Sequence, residues 1–582
     1  MAGVLNPGKN INNFTNNKRK KLILGALATI LLVSAFIGIV VGVKSRNSRS
    51  NNSNPQSITA SEAHEIVKSS CSSTFYPELC YSTIASHPEV STKVKTQKDA
   101  IELAVNMTTK AVQYSYFKIQ KLSNRRGLTP RQMRALNDCL EMVSETLDEL
   151  GQVTKGLEEY DTKKSLKQHA EDLKTLMSSA ITDQETCLDG FSHDNDDKKV
   201  RKELEKSEKR VEKMCSNALA MICNMTNTDI ANENKLNGRH LTEEQNTPEW
   251  PTWLSAGDRK LLQSGTVTPN VVVAADGSGD YKTVGAAVEA APKKSKTRYV
   301  IRIKAGVYRE NVDVPKGKTN IMFMGDGRKN TIITASRSVK GTGHTTFESA
   351  TVAVVGDGFL ARDITFENTA GAANHQAVAL RVGSDLSAFY QCDMLAYQDT
   401  LYVHKNRQFY INCLIAGTVD FIFGNAAAVF QDCDIHARLP GSGQKNMLTA
   451  QSRTDLNQNT GIVIQKCRIG ATSDLLPVQG SFPTYLGRPW KQYARTVFMQ
   501  STISNVIHPA GWHEWDGNFA LDTLYYGEYQ NTGAGAGTSN RVKWKGFKVI
   551  TSSSEAQGFT PGSFIGGSSW LRNTSFPFSL GL

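Results

Sequence analysis

The sequence predicts a multidomain chain in which an all-α helical bundle precedes an all-β parallel solenoid. Residues 60–228 are rich in Leu, Lys, Glu and Ala at helical spacing, whereas residues 270–582 consist of short β-branched and aromatic runs separated by Gly, Asp and Asn. Within the second region a short motif recurs about every 20 residues, the period of one coil in a β-solenoid. A length of 582 residues also exceeds that of one ordinary domain.

A basic stretch and an uncharged run precede the predicted bundle. Residues 22–43 carry no charged side chain, and as a helix they would extend ~33 Å, enough to span a bilayer. We predict a signal-anchor with residues 1–21 in the cytoplasm; a cleaved signal peptide, which usually has a shorter apolar core, is the alternative. Either segment directs the rest of the chain into the secretory pathway. There the sequons at Asn106, Asn224 and Asn573 permit glycosylation, and cysteines form disulfides.

The net charge of +12 is distributed unevenly. Residues 1–50 contribute +8, residues 51–262 contribute −4 (28 Lys and Arg against 32 Asp and Glu) and residues 263–582 contribute +8 (31 against 23). A basic C-terminal domain suits an anionic partner such as nucleic acid, an acidic polysaccharide or a membrane; charge that serves only solubility is the alternative. We expect no nucleic-acid partner, because the sequence has no RNP, zinc-finger or Arg-rich helix pattern. The C-terminal histidines lack ligand spacing, so no metal is expected.

The helical periodicity of the first domain is clearest between residues 136 and 180. One face carries apolar residues at i, i+4, i+7, i+11 and i+14, namely Leu136, Leu140, Val143, Leu147 and Leu150. A second run repeats the pattern with Leu173, Leu176, Met177 and Ala180. These faces predict an up-and-down bundle.

The cysteines of this domain carry a family resemblance. Cys71 and Cys80 enclose the segment Ser-Ser-Thr-Phe-Tyr-Pro-Glu-Leu, and Cys139 and Cys187 follow, the latter within Thr-Cys-Leu-Asp-Gly. This pattern resembles the plant pectin methylesterase inhibitor/invertase inhibitor family, which implies a four-helix bundle. The resemblance also implies the disulfides Cys71–Cys80 and Cys139–Cys187, and it leaves the state of two later cysteines open.

The polar, proline-containing residues 229–262 predict a linker. It ends in a dibasic-plus-leucine cluster, Arg259-Lys260-Leu261-Leu262, which is a candidate for proteolytic cleavage after Leu262. The sequence Arg239-His240-Leu241 is a weaker candidate.

The repeat that predicts the solenoid ends each time in a cysteine. Its copies are FYQC at 389–392, FYINC at 409–413 and FQDC at 430–433, so the cysteines are 21 and 20 residues apart. One repeat per coil stacks equivalent residues at the inter-strand spacing of ~4.8 Å. An amphipathic helix at about 284–291 is predicted to cover the open end of the first coil.

Two aspartates follow this repeat at one common position. Asp399 and Asp420 each lie seven residues after a cysteine, within the apolar runs LAYQDTLYV and GTVDFIFG. Coil stacking would place the two carboxyl groups side by side on one face. Two adjacent carboxyls cannot easily both ionise, so the pKa of one is raised. The pair can then supply an acid together with a base or nucleophile at one pH.

Two glutamines share the coil spacing of these aspartates. Gln398 directly precedes Asp399, and Gln376 lies 22 residues before Gln398. Two amides aimed at one point form an oxyanion hole, which stabilises charge on a carbonyl oxygen. Stacked aspartates alone would also suit a retaining glycosidase, whose carboxyls are ~5–5.5 Å apart, but a glycosidase needs no oxyanion donors. The glutamines therefore favour an ester hydrolase.

Arg488 and Trp490 are the last candidate site residues. A guanidinium can hold a carboxylate through two hydrogen bonds, and an indole offers a flat face on which a sugar ring can stack. Both belong to the last of five ordered segments that closely resemble plant pectin methylesterases: 306–310 (GVYRE), 376–381 (QAVALR), 397–402 (YQDTLY), 420–424 (DFIFG) and 486–490 (LGRPW). The resemblance spans about residues 270–582.

This resemblance implies a right-handed parallel β-helix that hydrolyses the methyl esters of homogalacturonan, with no metal or organic cofactor. It implies that Asp420 is the nucleophile, that Asp399 is the proton donor and acceptor, and that Gln376 and Gln398 hold the oxyanion. Arg488 would orient Asp420. Substrate contacts are implied for four residues, Thr346, Gln376, Arg488 and Trp490, with Thr345 as the alternative to Thr346.

The resemblance also extends to processing and disulfides. It implies that a subtilisin-like protease cuts the linker and that Cys413 pairs with Cys433; Cys433–Cys467 is the alternative pair. From the charge split and the resemblance we expect the acidic bundle to cover the basic cleft until that cut. The expected product is a monomer secreted to the cell wall, or apoplast.

Two other functions remain open at this point. One is a hydrolase or lyase that cuts the pectin chain itself, although a lyase would need a calcium-binding carboxylate cluster that the sequence lacks. The other is a non-enzymatic inhibitor or wall-binding protein.

Overall fold

The computed structural model describes residues 59–160, 165–191, 195–237 and 268–582. The basic segment 1–21, the uncharged run 22–43 and the predicted cleavage cluster 259–262 lie outside these residues. Within them, no helix combines the length and hydrophobicity needed to cross a bilayer.

The described part of the N-terminal domain consists of seven helices. They are α1 Ala60–Cys71, α2 Pro77–Ala85, α3 Val90–Lys93, α4 Gln97–Ser123, α5 Pro130–Glu158, α6 Leu166–Asp189 and α7 Asn195–Asn237. The four long helices, α4 to α7, form a bundle in which each contacts the next and α4 also contacts α7. Short connections make neighbouring helices antiparallel, which is the up-and-down arrangement expected from the sequence.

Threonine caps fix where three of these helices begin. Thr59, Thr96 and Thr129 each accept a hydrogen bond from the backbone N–H three residues on, and the side chain of that residue accepts one from the threonine N–H. Each such cap contributes ~0.5–2 kcal/mol. The positions of these helix starts are therefore specified by the local sequence.

The apolar face of α5 and both disulfides of the bundle agree with the sequence predictions. Leu136, Val143 and Leu150 are completely buried in the core. The disulfides are Cys71–Cys80, which joins α1 to the start of α2, and Cys139–Cys187, which joins α5 to α6, with Cα–Cα distances of 5.6 and 4.4 Å. Cys215 and Cys223, both on α7, are free thiols.

The C-terminal domain is a parallel β-helix built from three sheets, in which every strand pairing is parallel. Sheet A has eleven strands in the described residues: β1 Val271–Val273, β2 Tyr299–Ile303, β5 Ile321–Gly325, β8 Leu360–Arg362, β11 Ser387–Tyr390, β14 Arg407–Ile411, β17 Ala427–Gln431, β20 Gly461–Gln465, β23 Arg495–Met499, β25 Tyr525–Tyr529 and β26 Phe547–Val549. Sheet B has eight: β3 Gly306–Arg309, β6 Thr331–Ala335, β9 Thr365–Asn368, β12 Asp393–Leu395, β15 Leu414–Gly417, β18 Asp434–Ala437, β21 Arg468–Ala471 and β24 Thr502–Ile503. Sheet C has seven: β4 Val312–Val314, β7 Val352–Val354, β10 Leu380–Val382, β13 Leu401–Val403, β16 Ile422–Gly424, β19 Asn446–Gln451 and β22 Thr484–Gly487.

Several short helices accompany the strands of the β-helix, one of them at its first coil. The helix α8, Val284–Ala290, buries Val284, Ala287 and Val288 and contacts β1, β2 and β4, so it covers the first coil as the sequence predicts. Three further helices are α9 Val339–Thr342, α10 Ser553–Gln557 and α11 Pro561–Phe564. The apolar interior between the sheets is one continuous core that runs from Val273 to Tyr526.

The coil register differs by one residue from the aromatic repeat read in the sequence. Phe389 pairs with Tyr410, not with Phe409, and Tyr410 pairs with Phe430. The three rings stack inside the coil, with centroids 4.8 and 4.5 Å apart. Register follows distance from the cysteine, because each of these rings lies three residues before it.

The predicted disulfide Cys413–Cys433 is wrong, and so is the alternative Cys433–Cys467. Together with Cys392 these cysteines occupy one position on four successive coils, and all four are buried free thiols. Residues stacked in register project their side chains in parallel, whereas a disulfide needs a Cβ–S–S–Cβ angle near ±90°. Each thiol instead contacts backbone oxygens; the Cys413 Sγ, for example, lies 3.4 Å from the Phe389 and Ile411 carbonyls.

The three sequons differ in exposure. Asn106 on α4 and Asn224 on α7 are exposed, so glycosylation there stays a prediction. The Asn573 amide atoms are buried, so the folded chain does not present the third sequon.

The thiol ladder can be tested by alkylation of the denatured, unreduced protein. We expect the four stacked cysteines to react as free thiols and the four cysteines of the two disulfides to be protected. Peptide mass spectrometry should find label on Cys392, Cys413, Cys433 and Cys467 and none on Cys71, Cys80, Cys139 and Cys187. Protection of Cys413 and Cys433 before reduction would contradict the ladder of free thiols.

Candidate active site

A cavity of about 260 Å³ lies against sheet C. The structure brings all seven predicted site residues to its wall: Thr346, Gln376, Gln398, Asp399, Asp420, Arg488 and Trp490. Parallel coils explain this convergence, since equivalent positions of successive coils stand next to each other on one face.

Asp399 and Asp420 occupy one position on neighbouring coils. They lie two residues before Leu401 and Ile422, which pair in β13 and β16, and the Asp399 N–H donates to the Val419 carbonyl at 3.0 Å. Both aspartates have left-handed backbone angles, with φ of 62° and 51°, a conformation that aspartate adopts more readily than most residues. Their exposed fractions are only 7% and 6%. The predicted juxtaposition of these two acids is therefore present in the fold.

Arg488 fixes one of the two carboxyl groups. Its Nε and one terminal nitrogen donate to the two Asp420 oxygens at 2.8 and 2.6 Å, a bidentate geometry that sets the orientation of the carboxylate. The guanidinium also stacks on the Trp515 ring, 4.4 Å from its centroid. The predicted role of Arg488 as a holder of Asp420 has a direct geometric counterpart here.

The other carboxyl group has a different electrostatic environment. Burial raises the pKa of Asp399 well above its usual range, and the negative charge of Asp420 raises it further, while Arg488 opposes the shift. A raised pKa keeps Asp399 protonated at a pH where an ordinary aspartate has lost its proton. The two acids thus have different environments: Asp420 is paired with a guanidinium, and Asp399 has a raised pKa.

Gln376 and Gln398 also lie on adjacent coils, since the Ala377 N–H donates to the Gln398 carbonyl at 3.2 Å. The Gln398 amide oxygen is buried and has no hydrogen-bond partner among the described residues. Exchange of the amide oxygen and nitrogen, which a half-turn of the side chain achieves, would present N–H donors at this place. Two neutral amides beside the aspartates can stabilise negative charge on a substrate oxygen.

Aromatic rings form the apolar side of the cavity. The ring centroid of Trp490 lies 6.5 Å from that of Trp515, to which it is nearly parallel, and 5.9 Å from that of Phe423. Trp515 was missed by the sequence analysis, because it stands alone between polar residues and belongs to none of the recognised segments. Thr345 and Thr346 both line the cavity, so the structure leaves both as candidate substrate contacts.

The bundle closes the cavity from the opposite side. Thr186, Asp189 and Gly190, at the end of α6, complete its wall, and the Thr186 hydroxyl lies 2.9 Å from the His404 Nε2. These three residues belong to the segment Thr-Cys-Leu-Asp-Gly, which the sequence analysis used only to recognise the bundle family. On α5, Met142 packs into the apolar cluster that includes Phe423.

Ion pairs join the two domains around this cavity. Lys405 is 1% exposed and contacts the carboxyl groups of Glu145, Glu149 and Asp183, all at 2.7–2.8 Å. The three carboxylates are close enough together to share a cation, and the Lys405 ammonium supplies it. The predicted contact between an acidic bundle and a basic β-helix is thus a set of buried ion pairs.

Two more β-helix cations reach the bundle. Lys491 contacts Glu185 at 2.6 Å and Asp189 at 3.0 Å. Arg407 contacts Asp172 at 2.7 Å. Burial raises the pKa of Asp183, with the charge of Glu149 as the next cause, because one lysine cannot offset three carboxylates.

The C-terminal domain, over residues 270–568, matches the family model described as Pectinesterase, and residues 65–221 match the model described as Plant invertase/pectin methylesterase inhibitor. The chain belongs to the pectinesterase family. It is therefore a carboxylic ester hydrolase that carries an inhibitor-like domain, and not a hydrolase or lyase of the pectin chain or an inert wall-binding protein.

Pectinesterase relatives of full length share both domains. Pectinesterase/pectinesterase inhibitor U1 of Solanum lycopersicum is 71% identical over 97% of each chain. Pectinesterase 1 of Citrus sinensis is 69% identical over 99% of this chain and 97% of its own.

A solved structure, the pectin methylesterase from carrot, is 83% identical over 55% of this pectinesterase and 100% of its own chain, with a TM-score of 0.54. The matched 55% of this pectinesterase corresponds in length to its β-helix. A β-helix of this kind thus exists as a separate folded chain.

Proposed function

We propose that this pectinesterase hydrolyses the methyl esters of cell-wall homogalacturonan through a covalent intermediate on Asp420, and that the bundle blocks the site until the linker is cut. The observation that carries the catalytic part is the stacked pair of acids, of which Asp420 is held by Arg488 and Asp399 has a raised pKa. The products would be methanol and pectate.

In the first half of the reaction, an Asp420 oxygen attacks the carbonyl carbon of the methyl ester. The carbonyl oxygen becomes an oxyanion that accepts hydrogen bonds from the Gln376 and Gln398 amides. As the C–OCH₃ bond breaks, Asp399 gives its proton to the methoxide oxygen, and methanol leaves. The galacturonyl group is then joined to Asp420 as an anhydride.

In the second half, Asp399 has become a carboxylate and takes a proton from a water molecule. The resulting hydroxide adds to the galacturonyl carbonyl, and the same two amides hold the second oxyanion. Breaking the bond to Asp420 restores its carboxylate and frees the galacturonic acid group. Asp399 again carries a proton, so the site has returned to its starting state with one ester hydrolysed by one water.

Sugar recognition is assigned to the aromatic side of the cavity. Trp490 offers a face for a galacturonyl ring, and Thr346 lies at the wall where its hydroxyl can reach the sugar. Arg488 lies between this aromatic side and Asp420, so it can contact the substrate and orient the nucleophile together.

The covering bundle supports a role as an internal inhibitor. Thr186, Asp189 and Gly190 occupy the wall through which a polymer would have to enter. We propose that a subtilisin-like protease cuts after Leu262, that the bundle then leaves, and that the released enzyme acts as a monomer in the cell wall. The uncharged run 22–43 would direct the precursor into the secretory pathway, as an anchor or as a cleaved signal.

The acid pair is tested by two isosteric substitutions in the isolated 263–582 fragment. We expect Asp420→Asn to lower kcat by roughly 10⁴-fold or more, since it removes the nucleophile, and Asp399→Asn to lower it by about 10²–10⁴-fold, since it removes the proton donor. Methanol release from methylated pectin is the measurement. Asp432→Asn is the matched control, because Asp432 has a similar left-handed φ of 52° and lies outside the cavity wall. Undiminished methanol release by Asp420→Asn would rule out this mechanism.

The internal inhibition is tested by comparing the uncut chain with the 263–582 fragment. The uncut chain should have a kcat/KM at least tenfold lower, because its cavity is covered. The double substitution Glu145→Lys/Asp183→Lys in the uncut chain should restore much of the fragment's activity, because it leaves three buried ammonium groups beside one carboxylate, Glu149. Breaking even one buried ion pair costs ~3–5 kcal/mol. Glu205→Lys, at an exposed position on α7, is the control and should stay inhibited. Equal activity of the uncut chain and the fragment would show that the bundle does not inhibit.

The electrostatics of Asp399 are tested by Arg488→Gln. Asp399 acts in its protonated form, so kcat/KM falls as the pH rises through its pKa. Arg488 lowers that pKa and Asp420 raises it, so removal of the guanidinium should move this limb of the pH profile to higher pH, besides lowering the rate. The measurement is kcat/KM of the fragment against pH. A limb that moves to lower pH would contradict the assignment of the proton donor.

A further inference from the structure

Two lysines of the β-helix have ion partners that all belong to the bundle. Lys405 contacts Glu145, Glu149 and Asp183. Lys491, which is 16% exposed, contacts Glu185 and Asp189. Five carboxylates from the bundle thus surround two ammonium groups.

The third interface cation behaves differently. Arg407 reaches Asp172 of the bundle, but it also makes two hydrogen bonds, at 3.0 and 2.6 Å, to Asp385 of its own domain. Its charge stays partly neutralised when the bundle leaves. Departure of the bundle therefore changes the surroundings of Lys405 and Lys491 much more than those of Arg407.

Both lysines lie close in the chain to residues that line or border the cavity. Lys405 follows Tyr402, a wall residue, and His404, which contacts Thr186. Lys491 follows Trp490, another wall residue, and its Nζ lies 5.5 Å from the centroid of the Trp490 ring.

The end of α6 shows how the lysines are placed relative to the acid pair. Asp183 contacts Lys405, Asp189 contacts Lys491, and Thr186 lies midway between them and reaches the cavity. Six residues of helix extend ~9 Å. The two lysines therefore contact α6 on either side of the residue that stands in the cavity.

We propose that Lys405 and Lys491 bind free carboxylates of galacturonate residues that flank the ester being hydrolysed, and that the bundle carboxylates occupy these two subsites in the uncut chain. This inference rests on the proposed function, since it concerns the same cleft and polymer. A galacturonate that has lost its methyl group carries a carboxylate that can pair with an ammonium, whereas a methyl ester carries no charge. The free enzyme then prefers a partly de-esterified chain over a fully methylated one.

The same role explains why the face of the bundle that covers the cleft carries carboxylates. A helix that only needed to fill the cleft could do so with apolar residues, because buried ion pairs seldom stabilise a contact more than well-packed apolar groups do. Carboxylates spaced along α6 instead match what an acidic polymer would offer to the same lysines. Their desolvation also makes the contact weaker than an apolar one, which suits a bundle that must leave.

Binding is tested in the 263–582 fragment carrying Asp420→Asn, so that no turnover occurs. A β-helix of this kind folds without a bundle, as the carrot chain matched over 100% of its length indicates. The probe is a fully de-esterified galacturonate oligomer, titrated by calorimetry. Lys405→Gln and Lys491→Gln should each weaken binding about tenfold, as expected for the loss of a hydrogen bond between charged groups. Lys405→Arg and Lys491→Arg should retain most of the affinity, and Lys282→Gln, at an exposed position before the first coil helix, is the matched control.

Activity gives a second readout in the fragment without the Asp420 change. The ratio of kcat/KM on half-methylated pectin to kcat/KM on fully methylated pectin should fall in both glutamine variants, and high salt should reduce the difference from the wild type. Oligomer affinity and substrate preference that match those of the Lys282→Gln control would overturn the inference and leave the lysines as contacts for the bundle alone. Failure of the wild-type fragment to release methanol would instead overturn the proposed function. Thermal unfolding of each variant identifies any loss that comes from misfolding.

Discussion

The in-register stacking of coils in sheet C is the constraint on which the site depends. It places Asp399 directly beside Asp420, and their spacing is set by the pairing of the backbones and not by side-chain rotation. The same stacking places Gln376 and Gln398 on adjacent coils. These four residues precede the strands of sheet C, so a shift of one residue in the register would move each of them out of line with its counterpart on the next coil. Arg488 adds the asymmetry, because it holds only one of the two acids.

The periodic part of the site could be predicted from the sequence, and the rest could not. Asp399 and Asp420 were found by counting from the cysteines, and the two glutamines by the same coil length. Trp515 comes from a loop with no repeat, so its position depends on how the coils are connected. The disulfide expected between successive coils failed for a related reason. Proximity of two cysteines could be inferred from the period, but the parallel direction of their side chains could be read only from the fold.

The α-helical domain was predicted in outline from its periodicity, and its contact with the β-helix from the charge split and the family resemblance. Net charges of opposite sign indicate attraction, but they do not say which helix faces the cleft. The structure places α6 there, and it buries Lys405 among three carboxylates. Bringing these four groups out of water carries a desolvation cost that offsets much of their attraction. In the activation proposed above, cutting the linker would remove the high local concentration that holds the bundle against the β-helix.

The bundle also lies close to the surroundings that shift the pKa of Asp399. The raised pKa of this acid arises first from burial, and the bundle completes the wall of the cavity that buries it. In the mechanism proposed above, a pectin chain in the cleft would take the place of the bundle at this wall and keep water away from the acid pair. Under that proposal, the exclusion of water that raises the pKa of Asp399 in the uncut chain would also act during the reaction.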